Sequence, residues 1–171
     1  PYYRLPRKVI NTAWSRAGGS GEKAVAGFDE DPITMSVAAG LDCLKETAPK
    51  TVGALFLATT SAPYKERQNS TIVATALDLH REARNTDFAN CLRVGTNALL
   101  SAADAVNAGA LKSVLVTAAD TRLGGAAGGD EQAFGDGAAA LLLGNEKIAA
   151  EIEGSYTLSD DLVDYWRSHE D

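Results

Sequence analysis

One cysteine of the chain, Cys91, has a position at which a thiol could react as a nucleophile. It follows a short predicted strand at residues 86–90 and precedes a predicted helix that begins at Gly95. The amino end of a helix favours negative charge, so it would stabilise a thiolate, and Arg93 adds a second positive group. A thiolate can attack a thioester and form an acyl-enzyme. The alternative is that Cys91 is a small buried apolar residue, as many free cysteines are.

The histidines and acidic residues show no pattern that would complete such a site. His80 lies at the end of a predicted helix and His169 lies in a polar tail, so neither is placed as a base for the cysteine. No spacing of histidine and cysteine matches a zinc site. The acidic runs at residues 29–31 and 160–161 are explained by a solvated loop and a helix start. The sequence therefore predicts no metal ligand.

Two glycine-containing segments lead to different predictions. Residues 124–129 lack the Gly-x-Gly-x-x-Gly spacing of a dinucleotide site, so we interpret them as a structural loop. Residues 134–138, with the sequence Phe-Gly-Asp-Gly-Ala, form a tight glycine turn that leads into an apolar run ending at Gly144. A short continuous apolar run is typical of a buried strand, and we expect this strand to be fully buried.

Composition limits the class of protein. The net charge is −7, from 16 basic and 23 acidic residues, which argues against nucleic-acid binding through a basic face. Cys43 and Cys91 form no disulfide framework, and the simplest interpretation is reduced thiols in a cytoplasmic protein. No apolar run approaches the length of a membrane span, so we expect no membrane association. The 171 residues suffice for one domain, or for one half of a duplicated one.

Apolar runs and helix signals alternate along the chain, which predicts an α/β fold with a mostly parallel sheet. Asp31 and Pro32 give a strong helix start, an N-cap carboxylate followed by proline. The predicted strands are residues 52–59, 86–90, 113–119 and 138–144, and the other predicted helices are residues 6–14, 70–79 and 95–107, with Ser70 as the N-cap of the second of these helices. The last helix consists mostly of small residues and can be buried nearly all round.

The order of these segments resembles the N-terminal half of a thiolase-superfamily condensing enzyme. The groups that it resembles most are 3-oxoacyl-acyl-carrier-protein synthase III and 3-hydroxy-3-methylglutaryl-CoA synthase. The glycine turn at residues 134–138 and the strand after it are similar to a signature of the synthase III group. Residues 57–61 and 114–120 match the family's strands in order, and residues 164–167 resemble an Asp-Phe-Trp-Arg stretch of microbial methylglutaryl synthases.

The resemblance implies a five-layered αβαβα fold of two similar halves. We expect residues 1–171 to form the N-terminal half, with its first strand before Pro1 and its C-terminal half absent from the chain. The helix that begins at Gly95 would be the buried central helix. Cys91 would be the catalytic nucleophile of an acyltransferase that makes carbon–carbon bonds. The family's catalytic histidine and its asparagine or second histidine would lie in the other half.

The same resemblance implies the substrates and partners. The substrates would be thioesters of coenzyme A or of an acyl carrier protein, with no tightly bound cofactor. A homodimer is expected through the strand edge at residues 86–90, because an unpaired edge is a ready pairing surface. Relatives of the methylglutaryl synthases are also expected to work with an OB-fold/zinc-ribbon companion and a thiolase.

Two departures from the family pattern leave alternatives open. The family nucleophile stands four residues before a Gly-Thr threonine, whereas Cys91 stands five residues before Thr96. Thr60 occupies the position at which methylglutaryl synthases place a general-acid glutamate. One alternative is a thiolase-fold lyase or aldolase without a cysteine nucleophile. The other is a non-catalytic scaffold subunit of a thiolase-type complex.

Overall fold

The computed structural model describes residues 3–161, and these form the predicted α/β fold. Within this range the main sheet has four strands in the order β4-β3-β5-β6. Strand β3 runs parallel to β4 and β5, and β6 runs antiparallel to β5. The elements are β1 (Tyr3–Pro6), α1 (Arg7–Ala13), β2 (Glu22–Val25), α2 (Pro32–Cys43), a 3-10 turn (Pro49–Thr51), β3 (Ala54–Ala58), α3 (Asn69–Ala76), β4 (Arg84–Phe88), α4 (Val94–Asn107), β5 (Ser113–Asp120), α5 (Gly129–Ala133) and β6 (Gly137–Gly144).

The main sheet is covered by helices on both faces. Alternate residues of β3 and β5 point to opposite faces, so each strand contributes to two apolar clusters. Leu55, Leu57 and Leu115 pack with residues of α2 and α3 on one face. Phe56, Val114 and Val116 pack under α4 on the other face. Strand β3 is buried along its whole length because both of its faces are covered, which explains its continuous apolar sequence.

Helix α2 begins where the sequence predicts. The Asp31 carboxylate accepts a hydrogen bond from the backbone N–H of Thr34, and the Thr34 hydroxyl accepts one from the backbone N–H of Asp31. This reciprocal capping box satisfies two donors that a helix start would otherwise leave without partners. Pro32 occupies the first helical position, where its missing N–H costs nothing.

Helix α4 is buried along one stripe. Its fully or nearly fully buried residues, Val94, Ala98, Ala102 and Val106, are spaced four residues apart and face the sheet. Gly109, at φ +70°, terminates the helix in the left-handed conformation that glycine adopts without strain. The prediction that α4 is buried nearly all round is wrong for this chain, because the sheet covers only one side of the helix.

Strand β6 corrects the prediction of a fully buried strand. Ala139 is exposed and Leu141 is 56% exposed, both on the face that bears α4. On that face α4 lies over β3 and β5, and of β6 only Leu143 packs against the cluster. The opposite face of β6 is partly covered through Ala140 and Leu142. The apolar sequence therefore marks a strand that this chain buries on one face only.

Other boundaries differ from the predictions by a few residues. Strand β4 spans Arg84–Phe88 rather than residues 86–90, and it is an edge strand of the main sheet. Helix α3 begins at Asn69, so Ser70 lies inside its first turn and is not the N-cap. A separate two-stranded sheet, which the sequence did not predict, pairs β1 with β2 in antiparallel register across the intervening α1.

The remainder of the chain adds little regular structure to this frame. Residues 145–161 contain no helix or strand and are almost entirely exposed, as the weak pattern after residue 151 predicts. The segment at residues 164–167 and His169 lie outside the described residues. Between residues 3 and 161, no helix is both long enough and apolar enough to cross a membrane.

Candidate active site

The carboxyl ends of three parallel strands meet at one edge of the main sheet. Strands β3, β4 and β5 end there at Ala58, Phe88 and Asp120. Ligands of α/β proteins bind beyond this edge, because the loops that leave the strands converge on it. Cys91 lies in the loop that leaves β4, so the topology brings it to the edge where a site is expected.

Cys91 is exposed and lies in a turn between β4 and α4. Its sulfur is 3.9 Å from the side-chain nitrogen of Asn97, which can donate a weak hydrogen bond to it. Its carbonyl oxygen accepts a hydrogen bond of 3.3 Å from the backbone N–H of Val94, the first residue of α4. The thiol therefore lies beside the amino end of this helix, which is the location that the sequence predicts. Arg93 directly precedes the helix and is also exposed.

Asn90 directs the chain into this turn. Its φ of +64° lies in the left-handed region, which asparagine tolerates better than most residues other than glycine. The turn that it opens, residues 90–93, carries Cys91 from the end of β4 to the start of α4. A left-handed residue immediately before Cys91 fixes the direction in which the thiol leaves the strand.

The Asp120 carboxylate accepts hydrogen bonds from the three residues that follow β3. Its Oδ1 atom accepts hydrogen bonds from the backbone N–H groups of Thr60, at 2.6 Å, and Ser61, at 3.1 Å. The same atom accepts hydrogen bonds from the hydroxyls of Thr59, at 3.1 Å, Thr60, at 3.0 Å, and Ser61, at 2.8 Å. The hydroxyl of Thr60 is therefore engaged by Asp120. The sequence predicts no role for Asp120, although a carboxylate at the end of an apolar strand indicates a position at the carboxyl edge of a parallel sheet.

Two adjoining clefts open on the α4 side of the sheet. The first, of about 270 Å³, lies between the first turns of α4, at Gly95 and Leu99, and the exposed face of β6 at Leu141. The second, of about 370 Å³, is lined by Asp120 and by the glycine turn at residues 135–137. Ala118 and Ala139 line both clefts, so they form one groove between the start of α4 and the carboxyl end of β5. Many of the residues that line this groove have small side chains.

The glycine turn at residues 134–138 connects the groove to the two-stranded sheet of β1 and β2. Asp136 accepts a hydrogen bond of 2.8 Å from the backbone N–H of Ala26 and donates its own N–H to the carbonyl of Ala24 at 3.0 Å. The Arg122 guanidinium lies 4.3 Å from the centre of the Phe134 ring. These contacts hold the turn at the start of β6.

The loop at residues 124–129 has structural contacts, in agreement with its interpretation as a structural loop. Glu131, in α5, accepts hydrogen bonds from the backbone N–H of Ala127 and from the Trp14 indole. Arg16 donates to the Ala127 carbonyl at 2.6 Å, and Lys23 donates to the Glu131 carbonyl at 2.7 Å. Side chains from the amino-terminal part of the chain thus fix this loop.

The other candidate residues lie away from the groove. His80 follows α3 rather than ending it, and its Nδ1 accepts a hydrogen bond of 3.2 Å from the backbone N–H of Glu82. Cys43, the last residue of α2, is half-buried against the cluster under α2 and α3. No group of three or more potential metal ligands occurs within residues 3–161.

Comparison with curated proteins identifies hydroxymethylglutaryl-CoA synthases among the relatives of this chain, although no family model matches the sequence. The chain is 33% identical over 176 aligned residues to the hydroxymethylglutaryl-CoA synthase of Caldivirga maquilingensis, covering 98% of the chain and 50% of that protein. The corresponding synthase of Methanocaldococcus jannaschii is 32% identical, with coverage of 98% and 51%. The chain spans about half the length of the curated relatives it matches.

Solved structures of condensing enzymes share the fold. The structure of MvaS in complex with 3-hydroxy-3-methylglutaryl coenzyme A superposes with a TM-score of 0.75 at 24% identity, covering 84% of this chain and 37% of that one. The priming β-ketosynthase of the R1128 polyketide pathway gives 0.76 at 26% identity, with coverage of 86% and 48%.

A third neighbour was solved with a protein partner. The HMG synthase of the curacin biosynthetic pathway, in complex with holo donor-ACP, gives a TM-score of 0.75 at 22% identity, covering 84% of this chain and 38% of that one. The chain is therefore a homologue of the hydroxymethylglutaryl-CoA synthases with a thiolase-like fold, and its match fits the N-terminal half of such a condensing enzyme.

Proposed function

We propose that this chain supplies the acyl-accepting cysteine of a condensing acyltransferase that uses thioesters. The observation that carries the proposal is the position of Cys91, exposed at the carboxyl end of β4 and beside the start of α4, in a homologue of hydroxymethylglutaryl-CoA synthases. In the first step the Cys91 thiolate attacks the carbonyl carbon of the donor thioester. The carbon–sulfur bond of the donor breaks, its thiolate leaves and takes up a proton, and the acyl group remains on Cys91.

In the second step a carbanion of the acceptor attacks this acyl-enzyme. A carbon–carbon bond forms, and the bond between the acyl carbon and the cysteine sulfur breaks. The product leaves as the enzyme thiolate is regenerated. We assign no residue of this chain as the base that forms the carbanion, and Thr60 supplies no carboxylate for that role.

The donor is a thioester of coenzyme A or of an acyl carrier protein. The neighbours solved with 3-hydroxy-3-methylglutaryl coenzyme A and with holo donor-ACP support both carriers. The groove beside α4 is open and lined largely by small and apolar residues, which suits the acyl end of either donor. The carrier itself would be recognised outside this groove.

Mass spectrometry of the natural full-length protein tests the proposal. Incubation with acetyl-CoA, or with acetyl-loaded carrier protein, should add one acetyl group to the peptide that contains Cys91. Cys91→Ala should abolish this acylation, and Cys43→Ala, which changes a thiol away from the groove, should leave it intact. A folded wild-type protein that takes no acyl group on Cys91 from either donor would contradict the proposal.

One observation favours a second candidate, a thiolase-fold lyase or aldolase that does not use Cys91. Gly95 and Thr96 line the groove, but the residues that line it do not include Cys91. In that case the Cys91→Ala variant of the full-length protein should retain its carbon–carbon bond chemistry. Under the leading proposal the same variant should lose it.

We also propose a homodimer that pairs through the β4 edge. Strand β4 is the outer strand of the main sheet on this side, and its residues are at most half-buried in this chain. Sedimentation of the full-length protein at several concentrations tests this. A persistent monomer at high concentration would contradict it.

A further inference from the structure

Asp120 stands out among the described carboxylates that the proposed chemistry does not use. Its Oδ1 atom accepts five hydrogen bonds from three consecutive residues that follow β3. The Ser61 hydroxyl, which donates to this oxygen, also accepts the backbone N–H of Thr121 at 2.9 Å. The loop after β3 and the end of β5 are therefore locked together by a single carboxylate oxygen.

A further hydrogen bond connects the loop after β3 to β4, the strand that leads to Cys91. The backbone N–H of Thr59 donates to the carbonyl of Phe88 at 3.0 Å, one step beyond the paired residues Ala58 and Phe88. Phe88 is the last residue of β4, and Cys91 follows three positions later. Thr59 thus contacts both Asp120 and the end of β4. A displacement of the loop after β3 would displace the turn that carries the thiol.

We infer that Asp120 is a positioning residue for acyl transfer at Cys91, acting through the loop at residues 59–61. The inference rests on the proposed function, because it concerns the same thiol. Asp120 also lines the groove, so the loop that it holds is fixed relative to the space where the acyl group would lie. Its Oδ1 accepts hydrogen bonds from five donors of the three consecutive residues 59–61, which makes the carboxylate an anchor of this loop.

Two substitutions in the full-length protein separate positioning from charge. Asp120→Ala removes the acceptor and should lower the maximal rate of Cys91 acylation by acetyl-CoA about 10- to 100-fold, because small misplacements of a nucleophile cost that much. The half-saturating acetyl-CoA concentration should change less than the maximal rate, because Asp120 is one of many residues that line the groove whereas the loop it holds positions the thiol. Asp120→Asn keeps a carbonyl oxygen at the same place and should retain acylation within about threefold of wild type.

Asp31→Ala is the matched control for loss of stability. It removes the capping box at the start of α2 and should destabilise the protein, and the hydrogen bonds described for Asp31 reach only Thr34 and Met35 in the first turn of that helix. Its acylation rate should equal that of wild type. Hydrogen exchange at the amides of Thr60 and Ser61 should speed up in Asp120→Ala and stay slow in Asp31→Ala.

The outcomes distinguish this inference from the proposed function. If wild type is acylated and Asp120→Ala is acylated at the same rate, the inference is wrong and the proposed function stands. An Asp120→Asn variant as slow as Asp120→Ala would show that the negative charge is what matters, which also overturns positioning. Equal losses in Asp31→Ala would overturn it by assigning the effect to stability. If wild type takes no acyl group, the proposed function fails and the inference fails with it.

Discussion

Asp87 on strand β4 and Asn69 at the start of helix α3 are joined by two hydrogen bonds to one carboxylate oxygen. The Asn69 backbone N–H lies 2.7 Å from Oδ2 of Asp87, and the Asn69 side-chain amide lies 3.0 Å from it. The other oxygen accepts the backbone N–H of Ser70 at 2.7 Å. A residue of the neighbouring strand thus caps the helix, a role that the sequence assigned to Ser70.

This cap makes a prediction about acid stability. Burial of Asp87 opposes its ionisation, but the hydrogen bonds from Ser70 and Asn69 outweigh that effect and lower the pKa of the carboxyl below its ordinary value of 3.8. A carboxyl with a lowered pKa stabilises the fold above its ordinary pKa, and this stabilisation is lost as the pH falls through the lowered value. Asp87→Ala should therefore destabilise the protein by about 1–2 kcal/mol near neutral pH.

Urea denaturation of wild type and variant across the acid range checks this prediction. The two stability curves should begin to approach each other as the pH falls below the ordinary carboxyl pKa of 3.8, and they should converge only below the lowered pKa of Asp87, where the wild-type cap is protonated. Asp42→Ala is the control, since Asp42 is exposed and pairs only with Lys45 at the surface among the contacts described. A constant difference between wild type and Asp87→Ala down to the lowest pH would contradict the assignment.

The two thiols should differ in reactivity toward iodoacetamide. Burial raises the pKa of the Cys43 thiol above its ordinary value of 9.0, and the nearby Asp42 charge adds to the rise, while a backbone hydrogen bond at Leu142 opposes it. Cys43 is also half-buried, whereas Cys91 is exposed. At about neutral pH, Cys91 should be alkylated about tenfold faster or more. Labelling of Cys43 should increase steeply only as the pH rises past 9.0, the ordinary pKa of a thiol.

Mass spectrometry of the two cysteine peptides, as a function of time and pH, measures both rates. Unfolding in urea supplies the control, because both thiols should then react at similar rates. Equal labelling of the native protein at neutral pH would mean that Cys43 is as accessible as Cys91. Such a result would contradict the packing of α2 against the sheet.

Local signals in the sequence were enough to predict most of the elements. The run of residues 52–59 is apolar because β3 is buried on both faces, and burial of that kind leaves a continuous pattern. Asp31 and Pro32 mark a helix start because a capping box acts within four residues. Cys91 was placed between a strand and a helix on the same local grounds. These features depend on neighbours in the sequence.

Contacts between distant residues could not be predicted in the same way. Asp120 meets Thr60 across 60 positions, and Asp87 caps a helix that begins 18 positions earlier. Both pairings exist only because parallel strands bring their carboxyl ends together. The prediction that β6 is fully buried was wrong for a related reason, since an apolar strand is buried only where another element covers it. Leu141 carries the apolar signal, but within residues 3–161 α4 leaves it exposed.

The conformation of Asn90 gives a prediction about the nucleophile. A φ of +64° is tolerated by asparagine and glycine but costs a β-branched residue about 1–2 kcal/mol. Asn90→Gly should therefore keep acylation of Cys91 close to the wild-type rate, whereas Asn90→Val should lower it by forcing the turn to rearrange. Single-turnover acylation by acetyl-CoA measures both. If both variants reacted equally fast, the left-handed turn would have no part in presenting the thiol.

The close contact between α2 and Leu77 at Gly40 should not tolerate a larger side chain at residue 40. A Cβ atom on Gly40 would lie 2.7 Å from Cδ1 and 3.2 Å from Cδ2 of Leu77, and Leu77 is only 2% exposed, so it has little room to move. Gly40→Ala should destabilise the protein by about 1–3 kcal/mol in urea denaturation through overpacking. Gly95→Ala is the matched control, because a Cβ there meets nothing within 4 Å. That helical substitution should leave stability unchanged or raise it by up to about 1 kcal/mol.

The double variant Gly40→Ala/Leu77→Val should be more stable than the sum of its single changes predicts, since the smaller side chain relieves the clash. Strict additivity of the two changes would show that the helices separate rather than that Leu77 is compressed.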